Sequence, residues 1–523
     1  LSNPCPSIEF SFVPVPAGAF FCRLFYDEGM STRPFAAAAV LGSMIAMGLT
    51  AVVLAGSREQ WLAAANRVSA DAIRAHTIVL GGDALEGRAP GSRGGRMAAS
   101  YLSAELEKLG LEPMGDDGGF LQRVPLVGSL PRSDSRLVIS GLGKEMVLSL
   151  GEDYLLHSTG SQTRLPRPTP MVFVGYGIVA PEFDYNDYSD VDVRGKVAVF
   201  LSGEPASEDP EYFGGREPTV YSAMESKVRV ALSRGAVASV LVPQPQAKGP
   251  ARWAMAQREY AFEHLGLAAS VPSHLALLLR PEVARSLFDE ALFDFDQVLS
   301  MERRQVLRSF HLPLNLSFEG SFRLRSFLAA NVVGRIPGSG SRLSKEAVVV
   351  SAHYDHLGIG PQISGDRIYN GVIDNAIGSA ALLEVARVLA SAPERPRRSI
   401  IVLFTTAEEE GNLGARHFLE HPPLPLSRMV ANINIDGLAF HDTFASIVGI
   451  GAELSDLGLM LRRAAAVSGV EIARPDEVSH GRAAFERSEQ VVFAEAGIPS
   501  LLVNEGLEWD HASRERALET TLE

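Results

Sequence analysis

From residue 346 onward the chain repeats one pattern: an apolar run of strand length stops abruptly at a polar cluster, and helix-forming sequence separates such runs. EAVVVSAHYDH (346–356) stops at His353-Tyr-Asp355, and SIIVLFTTAEEE (399–410) stops at three glutamates. MVANINIDG (429–437) stops at Asp436, and GVEI (469–472) and GIPSLLVNEG (497–506) supply two further runs. Short apolar runs bounded by polar residues and glycine read as buried strands. Between the first two, NAIGSAALLEVARVLA (375–390) puts Ala380, Leu383, Val385 and Leu389 over much of one helical face. Strands alternating with helices specify an α/β fold: a mixed, mostly parallel open sheet with helices on both faces.

That fold restricts where chemistry can sit, because ligands of open α/β sheets bind outside the carboxyl ends of the strands. His353-Tyr-Asp355, Asp374-Asn375, Glu408-Glu409 and Asp436 all fall at or just past such ends. Each has a plain structural reading when taken alone. His353 could be a hydrogen-bonded core histidine, Asp374 a helix N-cap, Asp436-Gly437 a turn, and the glutamates the first turn of a solvated helix. Gathered on one sheet edge they are harder to explain, since like charges buried together are costly without cations. Imidazole with several carboxylates makes an oxygen-rich site suited to zinc or manganese.

Composition narrows the choice further. The only cysteines are Cys5 and Cys22, so neither a disulfide framework nor a thiolate metal site is available to the rest of the chain. A formal net charge of −14 argues against a nucleic-acid partner. The 523 residues suggest two to four domains. Residues 1–29 precede a plausible start at Met30 and are read as an upstream segment outside the fold. Residues 30–57 contain Arg33 and then the uncharged run FAAAAVLGSMIAMGLTAVVLA (35–55), which ends in small residues. This reads as a secretory signal or, if uncleaved, a membrane anchor, and so predicts an exported protein that is periplasmic, extracellular or membrane-anchored.

Residues 58–160 are read as the N-terminal part of the main domain, helical over 58–112, with ELEKLGLEP (105–113) closing a helix and DALEGRAPGSRGG (83–95) forming a loop. Residues 161–325 change character, with PMVFVGYGI (170–178), GKVAVFLSG (195–203) and KVRVALSRGAVASVLVP (227–243) giving a β-rich inserted module. It carries no cluster with ligand spacing and is expected to be non-catalytic. Residues 326–523 form the metal-binding part.

The segments SAHYDHLG, NGVIDNAIGSAALLEVAR, AEEEGNLGAR and NINIDG, in this order, resemble the two-zinc exopeptidases of metallopeptidase family 28. That family includes bacterial aminopeptidases and glutamate carboxypeptidases. The resemblance covers about 328–506 and the helical segment before 160, where DALEGRAPGSRGG is similar to a family feature. GYGI and DVRGKVAVF resemble the protease-associated (PA) domain that some members insert. The resemblance implies the zinc exopeptidase fold, peptide substrates and two Zn2+ ions. It implies that Asp374 bridges both ions, His353 and Asp436 complete one, and Glu409 binds the other. It further implies that Glu408 is the general base and that Asp355 hydrogen-bonds the His353 ring. Glu410 would be a surface charge, and the Asp374–Asn375 peptide would be cis.

One departure stands out. The family places a last histidine on the second metal soon after the final strand, whereas here only His511, in GLEWDHASRERALETTLE (506–523), follows that strand. The expected ligand is then beyond Glu523, with His511 and His480 as weaker stand-ins. The function implied is an exported zinc aminopeptidase. A glutamate-carboxypeptidase-like hydrolase, a glutaminyl cyclase-like transferase and a non-catalytic receptor-like protein are the alternatives. Retention of His353, Asp374, Glu408, Glu409 and Asp436 favours catalysis.

Overall fold

The computed structural model describes residues 64–506, apart from 159–163, 210, 216–217, 245–248, 270–273, 438–445, 474–484 and 486. The apolar run 35–55, both cysteines, His480 and His511 lie outside the described residues. Among the described residues no helix is long and apolar enough to cross a membrane.

The uninterrupted apolar runs become the centre of a ten-stranded mixed sheet. Its four central strands are β1 (Ala347–His353), β2 (Ser399–Thr405), β3 (Met429–Asn434) and β4 (Ser500–Glu505). They run in parallel in the spatial order β2-β1-β3-β4. Every residue of β1 and β2 is buried, which is why these strands show no polar alternation in sequence. The parallel character is confined mainly to this centre. Phe322–Ile336 pairs antiparallel with both β2 and Leu121–Pro131, and Ser446–Ile450 pairs antiparallel with β4.

Helices cover both faces, and the strand residues divide between them with a period of two. Val348, Val350 and Ala352 of β1 pack in one core with helix α1 (Ile377–Ala390) and the helices Ala70–Leu80 and Arg93–Lys108. Ala347 and Val349 pack in the opposite core with Phe418 of helix α2 (Leu413–Glu420) and with Phe493. Helix α1 is buried more completely than a single apolar face requires. Even Glu384 is inside it, where its carboxylate accepts hydrogen bonds from Arg387 and from the Ser69 backbone N–H.

Register fixes the sheet edge that matters. His353 at the end of β1 is level with Thr405 at the end of β2, and Ser351 is level with Asn434 at the end of β3. The three chain segments leaving these strands therefore emerge side by side.

A second, eight-stranded sheet has its own aromatic-rich core, in which Phe173 packs edge-on against Phe288. Its members include Arg136–Gly141, Lys144–Leu148 and Tyr154–Ser158, so it begins well before residue 161. The expected boundary at 161 is thus corrected to about 136. Phe322–Ile336, the long strand that returns to the main sheet, likewise starts just before the expected boundary at 325. The segment 161–325 is not wholly separate either, because His264–Leu267 joins the edge of the main sheet beside Leu121–Pro131. Short strands carry no local signal of which sheet they will join.

Candidate metal centre

Beyond the level ends of β1, β2 and β3 the polar clusters converge. His353 Nε2 lies 3.1 Å from Asp374 Oδ1 and 3.1 Å from Asp436 Oδ1. These three residues form one group whose ligand atoms all lie within 4.8 Å of one another. His356, Asp374 and Glu409 form a second such group, and His356 Nδ1 contacts the Glu409 carboxylate. Asp374 belongs to both. Two triads of imidazole and carboxylate sharing one aspartate are a geometry for two neighbouring cations.

Local structure explains how these side chains are held. The Asp374–Asn375 peptide is cis, as the resemblance implies. The Asn375 side chain donates to the carbonyl of Ile435 at 2.8 Å and accepts from Gly378 N–H, tying the start of α1 to the end of β3. Ser379 Oγ donates to the His353 carbonyl at 2.8 Å, and the Asn504 amide donates to the Asp436 carbonyl at 3.1 Å. Gly371, with φ +56°, passes so close to His356 that a Cβ there would stand 2.5 Å from the imidazole. Only glycine meets both demands.

Arg88, from the glycine-rich loop at 83–95, is 1% exposed and acts as a backbone clamp. Its guanidinium donates to the carbonyls of Leu80 and Tyr354 at 2.6 Å each, to that of Gly371 at 2.8 Å and to that of Asn370. Tyr354 lies between His353 and Asp355, and Gly371 begins the turn into Asp374. One cation therefore sets both ligand loops. Burial lowers its pKa to about 10, with Asp355, Asp374 and Glu409 acting in the opposite direction, so it stays charged at neutral pH.

The electrostatics are those of a site short of positive charge. Burial drives the Glu408 pKa well above 4.5, and Asp436, Glu409 and Asp374 add to the rise while His353 opposes it. Burial would lower the His353 pKa, but Asp436, Glu408 and Asp374 outweigh it and carry the value well above 6.5. Glu489, wholly buried beside these groups, is pushed up to about 8, chiefly by burial. The donor set fits a pair of divalent ions: two histidines and three carboxylates, with further acidic groups around them and a single buried guanidinium in opposition.

Two expectations need correction. Asp355 does not hydrogen-bond the His353 ring: His353 Nδ1 is 3.8 Å away and has no hydrogen-bond partner. The Asp355 carboxylate instead accepts the backbone N–H of Glu408 at 3.2–3.3 Å, and so steadies the residue between the two triads. Glu410 is not a surface charge. It is partly buried and accepts the Leu265 N–H at 3.2 Å, and burial raises its pKa to about 8. His356, Arg88 and Glu489 are the residues that the sequence reading did not single out. The second histidine in HYDH was the one available signal.

The family model for peptidase family M28 matches residues 331–518, which contain all of the ligand groups above. A vacuolar membrane protease of Yarrowia lipolytica is 35% identical over 115 residues, covering 22% of this chain and 10% of that protein. Aminopeptidase YwaD of Bacillus subtilis is 32% identical over 122 residues, covering 23% of this chain and 24% of that protein. The matches thus span less than a quarter of either curated relative. Among solved structures, an aminopeptidase from Aneurinibacillus sp. strain AM-1 aligns over 85% of this chain and 87% of its own, with 16% identity and a TM-score of 0.48.

Proposed function

We propose, from the match of residues 331–518 to the model of peptidase family M28, that the chain is an exported zinc-dependent exopeptidase that removes N-terminal residues from peptides. The observation that carries this reading is the sharing of Asp374 by two ligand triads, with Glu408 beside them and in neither. His353, Asp374 and Asp436 would hold one zinc, and Asp374, Glu409 and His356 the other. His356 then fills the position that the resemblance gives to a histidine after the last strand. Such an ion pair supplies a polarised substrate carbonyl and a water acidic enough to ionise near neutral pH.

The chain's own groups do the rest. Glu408 accepts the proton of the attacking water and returns it to the departing amine, a role suited to a carboxyl whose pKa burial has raised. Asp355 fixes the Glu408 backbone, and Arg88 fixes the loops that carry His353, His356 and Asp374. A free α-amine of the substrate would bind beside one of the two ions, which favours trimming from the amino end over the carboxyl end. The apolar run 35–55 supports passage to, or anchoring in, a membrane, and the name of the Yarrowia relative agrees with a membrane association.

Hydrolysis of aminoacyl-nitroanilides tests the reading. Chelation is expected to remove activity and added zinc to restore it, while N-acetylated substrates remain uncleaved. Activity that survives full chelation would overturn the metal-dependent reading. Equal cleavage of acetylated and free peptides would leave a peptidase but remove the aminopeptidase assignment.

A further inference from the structure

A third group of ligand atoms lies apart from this centre. His417, Glu420 and His421, at the C-terminal end of α2, also place ligand atoms within 4.8 Å of one another. The two histidines are four residues apart and share one helical face. Their rings stack with centroids 4.3 Å apart and planes inclined by 26°.

The His421 ring already has one nitrogen engaged by a group that can only accept. His421 Nδ1 lies 3.3 Å from the His417 carbonyl, so Nδ1 carries the proton and Nε2 the lone pair. Metal-bound histidines use this arrangement, in which the second nitrogen donates to a carbonyl and fixes the tautomer. The backbone is held too. The His421 N–H donates to the His417 carbonyl at 2.9 Å, and the Gln122 amide donates to the His421 carbonyl at 2.9 Å.

Charge and access point the same way. Glu420 and His421 are exposed, and the end of a helix attracts cations. His417 and Glu420 lie four and seven residues beyond Leu413, the first residue of α2, and so roughly 6 and 10 Å along the helix from the end that adjoins the Glu408-Glu409 loop.

We propose that His417, Glu420 and His421 form a surface site for one imidazole-preferring divalent ion of the zinc class, separate from the buried centre. Water completes the coordination. The ion staples the last turn of α2, the helix that follows directly from the loop bearing Glu408 and Glu409. Zinc, nickel and copper fit this donor set, whereas magnesium and calcium, which prefer all-oxygen shells, do not.

The test is equilibrium dialysis of the full protein against micromolar zinc, with bound metal counted in wild type, His421→Gln and Glu420→Gln. Wild type is expected to bind one equivalent more than His421→Gln, and Glu420→Gln to need about tenfold more zinc for that equivalent. Zinc should slow amide exchange over 417–421 in wild type and leave it unchanged in His421→Gln. Equal counts in wild type and His421→Gln would overturn the proposal. The exposed position of His421 keeps the fold out of the comparison, and reading a difference between variants makes the outcome independent of how many ions the buried centre holds.

Discussion

Glu408→Gln is expected to lower turnover by about 10²–10⁴-fold while leaving bound zinc and thermal stability near wild-type levels. Glu408 stands within the field of Asp374, Glu409, Asp436 and His353 but belongs to neither ligand triad. Its amide analogue keeps the volume and the Glu408 N–H bond to Asp355. What it loses is the ability to accept a proton. The measurement is kcat on an aminoacyl-nitroanilide, beside metal content and a melting curve. A fall in turnover that tracks loss of zinc would make Glu408 a ligand instead. Unchanged turnover would remove it from the chemistry.

The second large effect is structural. Arg88→Met should destabilise the protein by roughly 3–5 kcal/mol, because it strips the hydrogen-bond donors from four buried carbonyls and leaves nearby carboxylates without their fixed cation. The damage should also reach zinc affinity, since two of those carbonyls, Tyr354 and Gly371, lie in the ligand loops. Denaturant unfolding monitored with and without zinc gives both readings. Arg88→Lys is the informative companion: a single ammonium has the charge without the fork of donors, so it should recover only a part of the loss. A variant as stable as wild type would show that the carbonyls find other donors.

What could be read from the sequence was whatever is written locally. The runs at 347–353 and 399–405 show no polar alternation because these parallel central strands are buried on both faces, and their polar endings fall beside that of 429–434 because the register aligns the strand ends. His353, Asp374, Glu408, Glu409 and Asp436 were visible for that reason. The features that escaped depend on contacts between distant segments. Glu410 meets the Leu265 N–H across 145 residues, and Arg88 meets the Gly371 carbonyl across 283, with no pattern at either end to announce the pairing. His356 escaped for a different reason. It sits three residues after His353, and nothing local says that the chain turns there so that the second histidine faces Glu409 while the first faces Asp436. The hairpin strands at 136–148 could have extended either sheet, and only packing against the core around Phe173 and Phe318 decided it.

Diffraction from crystals grown with zinc, recorded at the zinc absorption edge, decides whether one aspartate is common to two cation positions. Two strong anomalous peaks about 3.5–4 Å apart are expected, one on each side of the Asp374 carboxylate, the first touching His353 and Asp436 and the second touching Glu409 and His356. A single peak, or none within reach of Asp374, would contradict that sharing.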